Sequence, residues 1–317
     1  FMGASYTDMV QGLLMLAALV AVPIVAITNM GGLDHVTDAV ANVRPDALGL
    51  FAGTTFIGIA SALAWGLGYF GQPHIIVRFM ALRTPKDAKA GRRIGMSWML
   101  LTVVGSISTA FVGVAYFATH PEVYLTDKES AETVFLDLAQ ILFHPFIAGM
   151  ILAAVLAAIM STLYSQLVVC SSALVEDLYG VFVKKKLSSN QSLWLGRAGV
   201  AIVAVIATLM ALDKNNSILS LVEFAWAGFG SAFGPIVILS LYWRKLTLPG
   251  AVSGMVVGAV VTFFWRQIFN LTETIDVYEM IPGFFLAFLV TVVVSLATYQ
   301  KNEEIEQEFD KAAELAK

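Results

Sequence analysis

The sequence predicts an all-α polytopic membrane protein with about eight transmembrane helices. Its 317 residues are 58% hydrophobic and only 13% charged, with a mean hydropathy of +0.79, whereas soluble domains carry about 25% charged residues. Eight segments reach the roughly 20 mostly apolar residues that a membrane helix needs. The expected spans are 8–29, 50–70, 95–118, 145–174, 193–212, 217–242, 250–270 and 280–299.

The basic residues alternate between successive loops and orient these helices. One set of loops carries twelve of them: Arg78, Arg83, Lys86, Lys89, Arg92, Arg93, Lys184, Lys185, Lys186, Arg197, Arg244 and Lys245. The other set carries four: Arg44, Lys128, Lys214 and Arg266. Because basic loops face the cytoplasm, eight crossings of the cytoplasmic membrane place both ends of this chain on its cytoplasmic side. We therefore expect a transmembrane core over residues 1–300 and a cytoplasmic tail over residues 301–317.

The first helix is expected to begin at Asp8, which follows Ser-Tyr-Thr. Serine, threonine and aspartate are common helix caps, and an acid suits the helix N-terminus, so capping is the favoured interpretation of Asp8. The glycine- and aspartate-containing stretch 30–47 is interpreted as an extracellular loop. Within residues 119–142, a short amphipathic helix on the outer face is predicted from Val134, Leu136, Leu138 and Ala139, which surround Asp137.

The second helix is interrupted by the string Trp-Gly-Leu-Gly-Tyr-Phe-Gly-Gln-Pro, which runs from Trp65 to Pro73. Glycine adds backbone freedom and proline removes an N–H donor, so a continuous helix is not expected here. Interrupted hydrophobic segments mark the binding sites of transporters. An ordinary kinked membrane helix with aromatic residues at the interface explains the local pattern equally well.

The fourth helix lies in a low-charge run over residues 141–175, which is longer than one crossing requires. We expect it to be tilted or to extend beyond the membrane. Ala158, Ser161, Thr162 and Ser165 fall on one face of it. Hydroxyl and carbonyl oxygens there suit a sodium ion, although the pattern alone favours helix packing, for which small and hydroxylated faces are common.

The sixth helix carries a second cluster of three glycines and a proline over residues 225–235. A closely packed kink is the favoured interpretation, with a gating hinge as the second. Glu223 is interpreted as an interfacial, hydrated carboxylate. The single cysteine, Cys170, excludes an internal disulfide framework, and the four histidines have no zinc-site spacing. No motif indicates an enzyme, and we expect no nucleic-acid partner.

At these positions the sequence resembles the sodium:solute symporter family through nearly the whole chain. The resemblance is carried by Ser5-Tyr6-Thr7-Asp8, the string from Trp65 to Pro73 with His74, Ala157 to Thr162 with Cys170-Ser171-Ser172, and Ala225 to Pro235. A family signature is also present: Ser240-Leu241, Lys245, Gly250-Ala251, Gly254 and Gly258. The resemblance implies part of a leucine-transporter-like inverted-repeat (5+5) fold. It also implies sodium-coupled symport of a small solute, and within the resemblance the strings Trp65–Pro73 and Trp226–Gly230 favour L-proline.

The resemblance further implies roles for single residues. Sodium, the co-transported ion, would be bound by the Ala158 carbonyl and by the hydroxyls of Ser161 and Thr162. Proline would contact Trp65, Tyr69 and Pro73. Asp8 matches an acidic position implicated in sodium-dependent transport and is a secondary candidate, as is Ser165, which stands where a cysteine is known in the family. Glu223 stands where a serine is expected.

The family core has ten helices, and residues 8–29 match the fifth. The first four are therefore expected to be missing from this chain, including one that completes both sites, so we expect transport to need those N-terminal helices of the same protein within a lipid bilayer. Three alternatives remain open: symport of another amino acid or an organic acid, a channel, and a membrane-embedded enzyme or scaffold.

Overall fold

The structure, a computed structural model, describes residues 2–120, 131–174, 179, 188–212, 218–268 and 277–315. All regular structure in these residues is helical. The α-helices are α1 (Met2–Asn29), α2 (Leu33–Val43), α3 (Phe56–Gly68), α4 (Pro73–Met80), α5 (Pro85–Thr119), α6 (Val134–Leu142), α7 (Pro145–Ser172), α8 (Ser189–Ala211), α9 (Ile218–Tyr242), α10 (Leu248–Ile268), α11 (Met280–Thr298) and α12 (Glu303–Leu315).

Seven helices in this part of the chain are long and apolar enough to cross a membrane. They are Tyr6–Asn29, Lys86–Thr119, Pro145–Ser172, Asn190–Ala211, Ile218–Tyr242, Leu248–Trp265 and Met280–Thr298. A shorter apolar stretch, Phe56–Gly71, lies where the second span, 50–70, was predicted. The all-α polytopic architecture is thus confirmed, and the expected second span is the one that is cut short.

Two expectations about the first 50 residues are wrong. Helix α1 begins at Met2, so Asp8 lies inside the helix rather than at its cap. The expected extracellular loop at 30–47 is largely helical, because α2 occupies Leu33–Val43 and a 3₁₀ turn follows at Pro45–Leu48. Val36 and Val40 of α2 are one turn apart and both are buried. This spacing is a helical signal, and the glycines and aspartates around it led to the prediction of a loop.

The chain divides into two compact units. The first unit comprises Phe1–Ala52 and Ala90–Asp213. Its apolar core joins α1, α2, α5, α6 and α7, with Val22, Val40, Val112, Leu138 and Ile151 among the buried side chains. The short helix predicted around Asp137 is therefore present as α6, and it packs into this core.

Helix α7 is the long helix of the first unit. The His144 imidazole caps it by accepting a hydrogen bond from the N–H of Phe146, 3.3 Å away, and Pro145 occupies its first turn. Its 28 residues extend about 42 Å, compared with about 30 Å for the hydrocarbon core of a bilayer. The excess length expected for the fourth helix is confirmed.

The second unit comprises Gly53–Lys89 and Lys214–Lys317 and contains α3, α4 and the helices from α9 onward. Three glycines of α10, four residues apart, lie against neighbouring helices without room for a side chain. Gly250 contacts the Ser295 hydroxyl, Gly254 contacts the Thr291 hydroxyl, and Gly258 contacts the Ser231 carbonyl. The glycines of the family signature thus serve close packing of α10 on α11 and α9, as expected for small residues in membrane helices.

Candidate functional site

The predicted interruption of the second span is present in the structure. Helix α3 ends at Gly68, a 3₁₀ turn occupies Tyr69–Gly71, and Gln72 is extended before α4 begins at Pro73. Pro73 stands in the first turn of α4, where its missing N–H removes no hydrogen bond. We call residues 65–73 the break.

Four aromatic rings gather at the break. The Trp65 indole stacks on Trp226 of α9 and on Tyr278, each at 6.0 Å between ring centroids and with interplanar angles of 25° and 16°. The Tyr69 ring meets Trp226 edge-on at 4.9 Å. Trp65 is half-buried and committed to this packing, whereas Tyr69 is 43% exposed. Tyr69 is therefore the predicted solute contact with the most ring surface available.

The last four carbonyls of a helix have no partner within that helix. The carbonyl of Trp65 is one of these four in α3. The Trp226 indole N–H donates a hydrogen bond to it at 3.0 Å. On the other side of the break, the Gln72 side-chain amide donates to the Trp226 backbone carbonyl at 3.3 Å, and Gln72 is 3% exposed. Polar groups that the interruption frees are thus paired within the protein, as hydrocarbon surroundings require.

Two glycines let the break approach α9. A Cβ at Gly68 would collide with the Trp226 indole, and a Cβ at Gly71 would collide with the carbonyl of Phe229 and the Cα of Gly230. Side chains at these two positions would push the break away from α9.

The second glycine cluster does not interrupt its helix. Helix α9 runs from Ile218 to Tyr242 with Pro235 inside it. Gly230 contacts the Cα of Gly68 and the Met280 side chain. Close packing, the favoured interpretation, fits this geometry, and the backbone remains helical through residues 225–235.

The four small residues predicted for sodium lie on one face of α7 in the first unit. The Thr162 hydroxyl donates to the Ala158 carbonyl at 3.2 Å, and the Ser165 hydroxyl donates to the Ser161 carbonyl at 3.0 Å. The Ser161 hydroxyl donates to the Asp8 carboxylate at 2.7 Å. Asp8 therefore joins the hydroxylated face from α1, and the capping interpretation gives way to a contact between α1 and α7.

A family model described as the sodium:solute symporter family matches residues 1–258 of the chain. The chain belongs to the sodium:solute symporter family. The resemblance inferred from its motifs is thereby confirmed.

Curated members of the family support this assignment at high identity. The chain is 46% identical over 310 residues to the high-affinity proline transporter PutP of Bacillus subtilis, covering 98% of this chain and 64% of that protein. It is 49% identical over 298 residues to the osmoregulated proline transporter OpuE of Bacillus subtilis, covering 94% and 60%. It is 42% identical over 312 residues to the sodium/proline symporter of Escherichia coli, covering 98% and 61%. The chain thus spans less than two thirds of the length of these relatives.

A solved structure shares the fold. It is a substrate-bound, outward-open state of a Na⁺-coupled sialic acid symporter, with a TM-score of 0.71 and 17% sequence identity, covering 95% of this chain and 63% of that one. The predicted fold class, part of a leucine-transporter-like inverted-repeat fold, is confirmed by this likeness.

The structure brings the residues predicted to bind solute and sodium together in two groups. Trp65, Tyr69 and Pro73 belong to the second unit, whereas Asp8 and the α7 residues belong to the first. Three contributors at the break were missed by sequence reasoning: Gln72, Trp226 and Tyr278. Gln72 and Trp226 stand within glycine-rich strings that drew notice for their glycines. No local signal distinguishes Tyr278, which reaches the site from a distant part of the chain.

Proposed function

We propose that the full-length protein is a sodium-coupled symporter that moves L-proline into the cell by alternating access. The observation that carries the proposal is the break itself, an aromatic-walled interruption of an apolar helix. Interrupted helices in transporters present unwound backbone and helix ends of opposite partial charge to the substrate. Proline, an apolar ring bearing a carboxylate and an ammonium group, matches such a site. The names of the curated relatives agree with this solute.

The solute would contact Tyr69, Trp65 and Pro73. The exposed ring of Tyr69 offers a surface for the pyrrolidine ring, and Trp65 supports the wall through its stacking on Trp226 and Tyr278. Pro73, half-buried at the start of α4, limits the far side of the break. An open-chain amino acid of similar size would cover this wall less completely than the closed ring of proline.

Sodium would be bound on the hydroxylated face of α7. The proposed ligands are the Ala158 carbonyl and the hydroxyls of Ser161 and Thr162, with Asp8 and Ser165 as secondary candidates. Sodium is a hard cation that takes oxygen ligands, and each of these groups presents one. The 2.7 Å hydrogen bond from Ser161 to Asp8 places a carboxylate beside the face, which supplies the negative charge that the helix itself lacks.

The protein would lie in the cytoplasmic membrane with both ends of this chain inside, residues 1–300 as transporter core and residues 301–317 as cytoplasmic tail. Helices outside this chain would complete both sites. Each ligand would favour the conformation that the other binds, which couples their movements through shared states.

The test is uptake of labelled proline by cells that lack their own proline transport and express the complete reading frame. Uptake is expected to require sodium and to saturate with proline. Uptake that neither saturates nor depends on an ion would indicate a channel. No uptake of any solute by protein that reaches the membrane would contradict transport altogether and favour a scaffold.

A second candidate is sodium symport of a different small solute, which the family assignment favours. Competition by a panel of amino acids and organic acids separates it from proline transport. If an unlabelled competitor other than proline inhibits more strongly than proline itself, the proline assignment falls and sodium coupling stands.

A further inference from the structure

Both sides of the break are tied to a single residue of α9. The Trp226 indole N–H donates to the Trp65 carbonyl, before the 3₁₀ turn, at 3.0 Å. The Trp226 carbonyl accepts from the Gln72 amide, after the turn, at 3.3 Å. One residue therefore spans the irregular segment and fixes the distance between its two ends.

The ring of Trp226 adds contacts to the same segment. It stacks with Trp65 at 6.0 Å and receives the edge of Tyr69 at 4.9 Å. The indole also occupies the space where Gly68 would carry a Cβ. The rings of both proposed aromatic solute contacts thus rest on Trp226, which is itself half-buried.

We propose that Trp226 is a positioning residue for solute binding: it holds the break in the conformation that presents Tyr69 and Trp65 to the solute. This inference rests on the proposed function for its solute and on the contacts of Trp226 for its geometry. Without the indole N–H, the Trp65 carbonyl loses its partner and the last turn of α3 gains freedom. The solute must then order the break as it binds, so its apparent affinity falls.

The decisive variant is Trp226→Phe in the complete protein, because phenylalanine keeps an aromatic ring but has no N–H. Trp265→Phe is the matched control. The Trp265 indole also donates to a backbone carbonyl in the same unit, that of Val277 at 3.3 Å, which is next to Tyr278 and outside residues 65–73. Gln72→Met removes the second tie at similar volume.

The first measurement is solute uptake. Trp226→Phe is expected to raise KM about three- to tenfold, as the loss of one hydrogen bond predicts, with the maximal rate changed much less. Gln72→Met is expected to act in the same direction, and Trp265→Phe to leave KM within about twofold of wild type. If Trp226 had only a structural role, the substitution would lower the amount of protein or the maximal rate and would leave KM unchanged.

The second measurement needs no solute. Hydrogen exchange followed by mass spectrometry is expected to be faster in peptides covering residues 65–72 of Trp226→Phe, and unchanged there in Trp265→Phe. Exchange that is equal in the two variants would overturn the proposal, and so would faster exchange without a change in KM. If wild type takes up a solute other than proline, the proposed function fails, whereas the positioning role is judged by KM for that solute and by exchange.

Discussion

The two candidate sites differ in how the backbone contributes. At the break, the helix stops, and the Trp65 carbonyl is taken by a side chain of α9. On α7 the helix is unbroken, and the hydroxyls of Thr162 and Ser165 turn back onto carbonyls of their own helix. At the break, main-chain groups themselves need partners from a neighbouring helix, whereas the intact helix satisfies its own carbonyls and offers side-chain hydroxyls. Asp8 of α1 brings a carboxylate to that hydroxylated face.

The largest effect is expected where the break touches α9. Gly71→Ala would drive a methyl group into the backbone of Phe229 and Gly230, which cannot move as a side-chain end can. We expect a loss of about 1–3 kcal/mol of stability and of most solute uptake. Thermal unfolding in detergent and uptake assays measure both.

Gly66→Ala is the control, because a Cβ at Gly66 has no heavy atom within 4 Å beyond its own helix. Alanine there is expected to raise the unfolding temperature slightly, since it favours helix over glycine by about 1 kcal/mol. Equal destabilisation by both variants would show that the close approach to α9 is not what fixes the break.

The second-largest effect is expected from removing the carboxylate charge of Asp8 beside α7. Asp8→Asn keeps an oxygen that can accept from Ser161 but removes the carboxylate charge, so the sodium concentration for half-maximal uptake is expected to rise about tenfold or more. Asp38→Asn, at an exposed position of α2, should leave sodium dependence unchanged. An unchanged sodium requirement in Asp8→Asn would mean that the Ser161 contact is purely structural.

A smaller effect is expected for the hydroxyl of Thr162. Thr162→Ala removes one neutral ligand, and we expect a three- to tenfold higher sodium requirement. Thr208→Ala is the matched control, since the Thr208 hydroxyl makes the same bond to a carbonyl one turn earlier, that of Ala204, at 2.8 Å on α8. Similar sodium curves for the two variants would move the ion site away from α7.

The smallest effect is expected at an exposed ion pair of the second unit. Arg244 pairs with Asp310 of α12 and lies over the Phe309 ring, but both charged side chains are about half exposed. Exposed pairs contribute about 0–1 kcal/mol, so Asp310→Asn should alter neither KM nor sodium dependence. A large change in uptake would indicate that the tail takes part in transport.

The break could be predicted from sequence because Pro73 is a local signal, and a proline favours extended backbone at the residue before it. The continuity of α9 could not, since its glycines and proline resemble those of the break. In α9 the cluster lies against α10 and α11, with Gly230, Ser231 and Gly234 among the buried residues, and the helix continues past Pro235. Local composition does not contain that information.

The hydroxylated face of α7 followed from periodicity alone, but its partner did not. Asp8 lies 153 residues from Ser161, and its position after Ser-Tyr-Thr mimics a helix start. The residues before it continue the helix to Met2, so the local capping signal misled. Contacts between segments far apart in sequence, such as Asp8 with Ser161 or Tyr278 with Trp65, depend on how the helices pack and not on short-range sequence.

The glycines of α10 have a mechanical consequence. Gly250 lies against the Ser295 hydroxyl and Gly254 against the Thr291 hydroxyl, so a slide of α10 along α11 by less than a turn would bring a larger residue against each hydroxyl. Helices α10 and α11 therefore resist sliding past each other. A conformational change that moves either helix has to move both together as a rigid body.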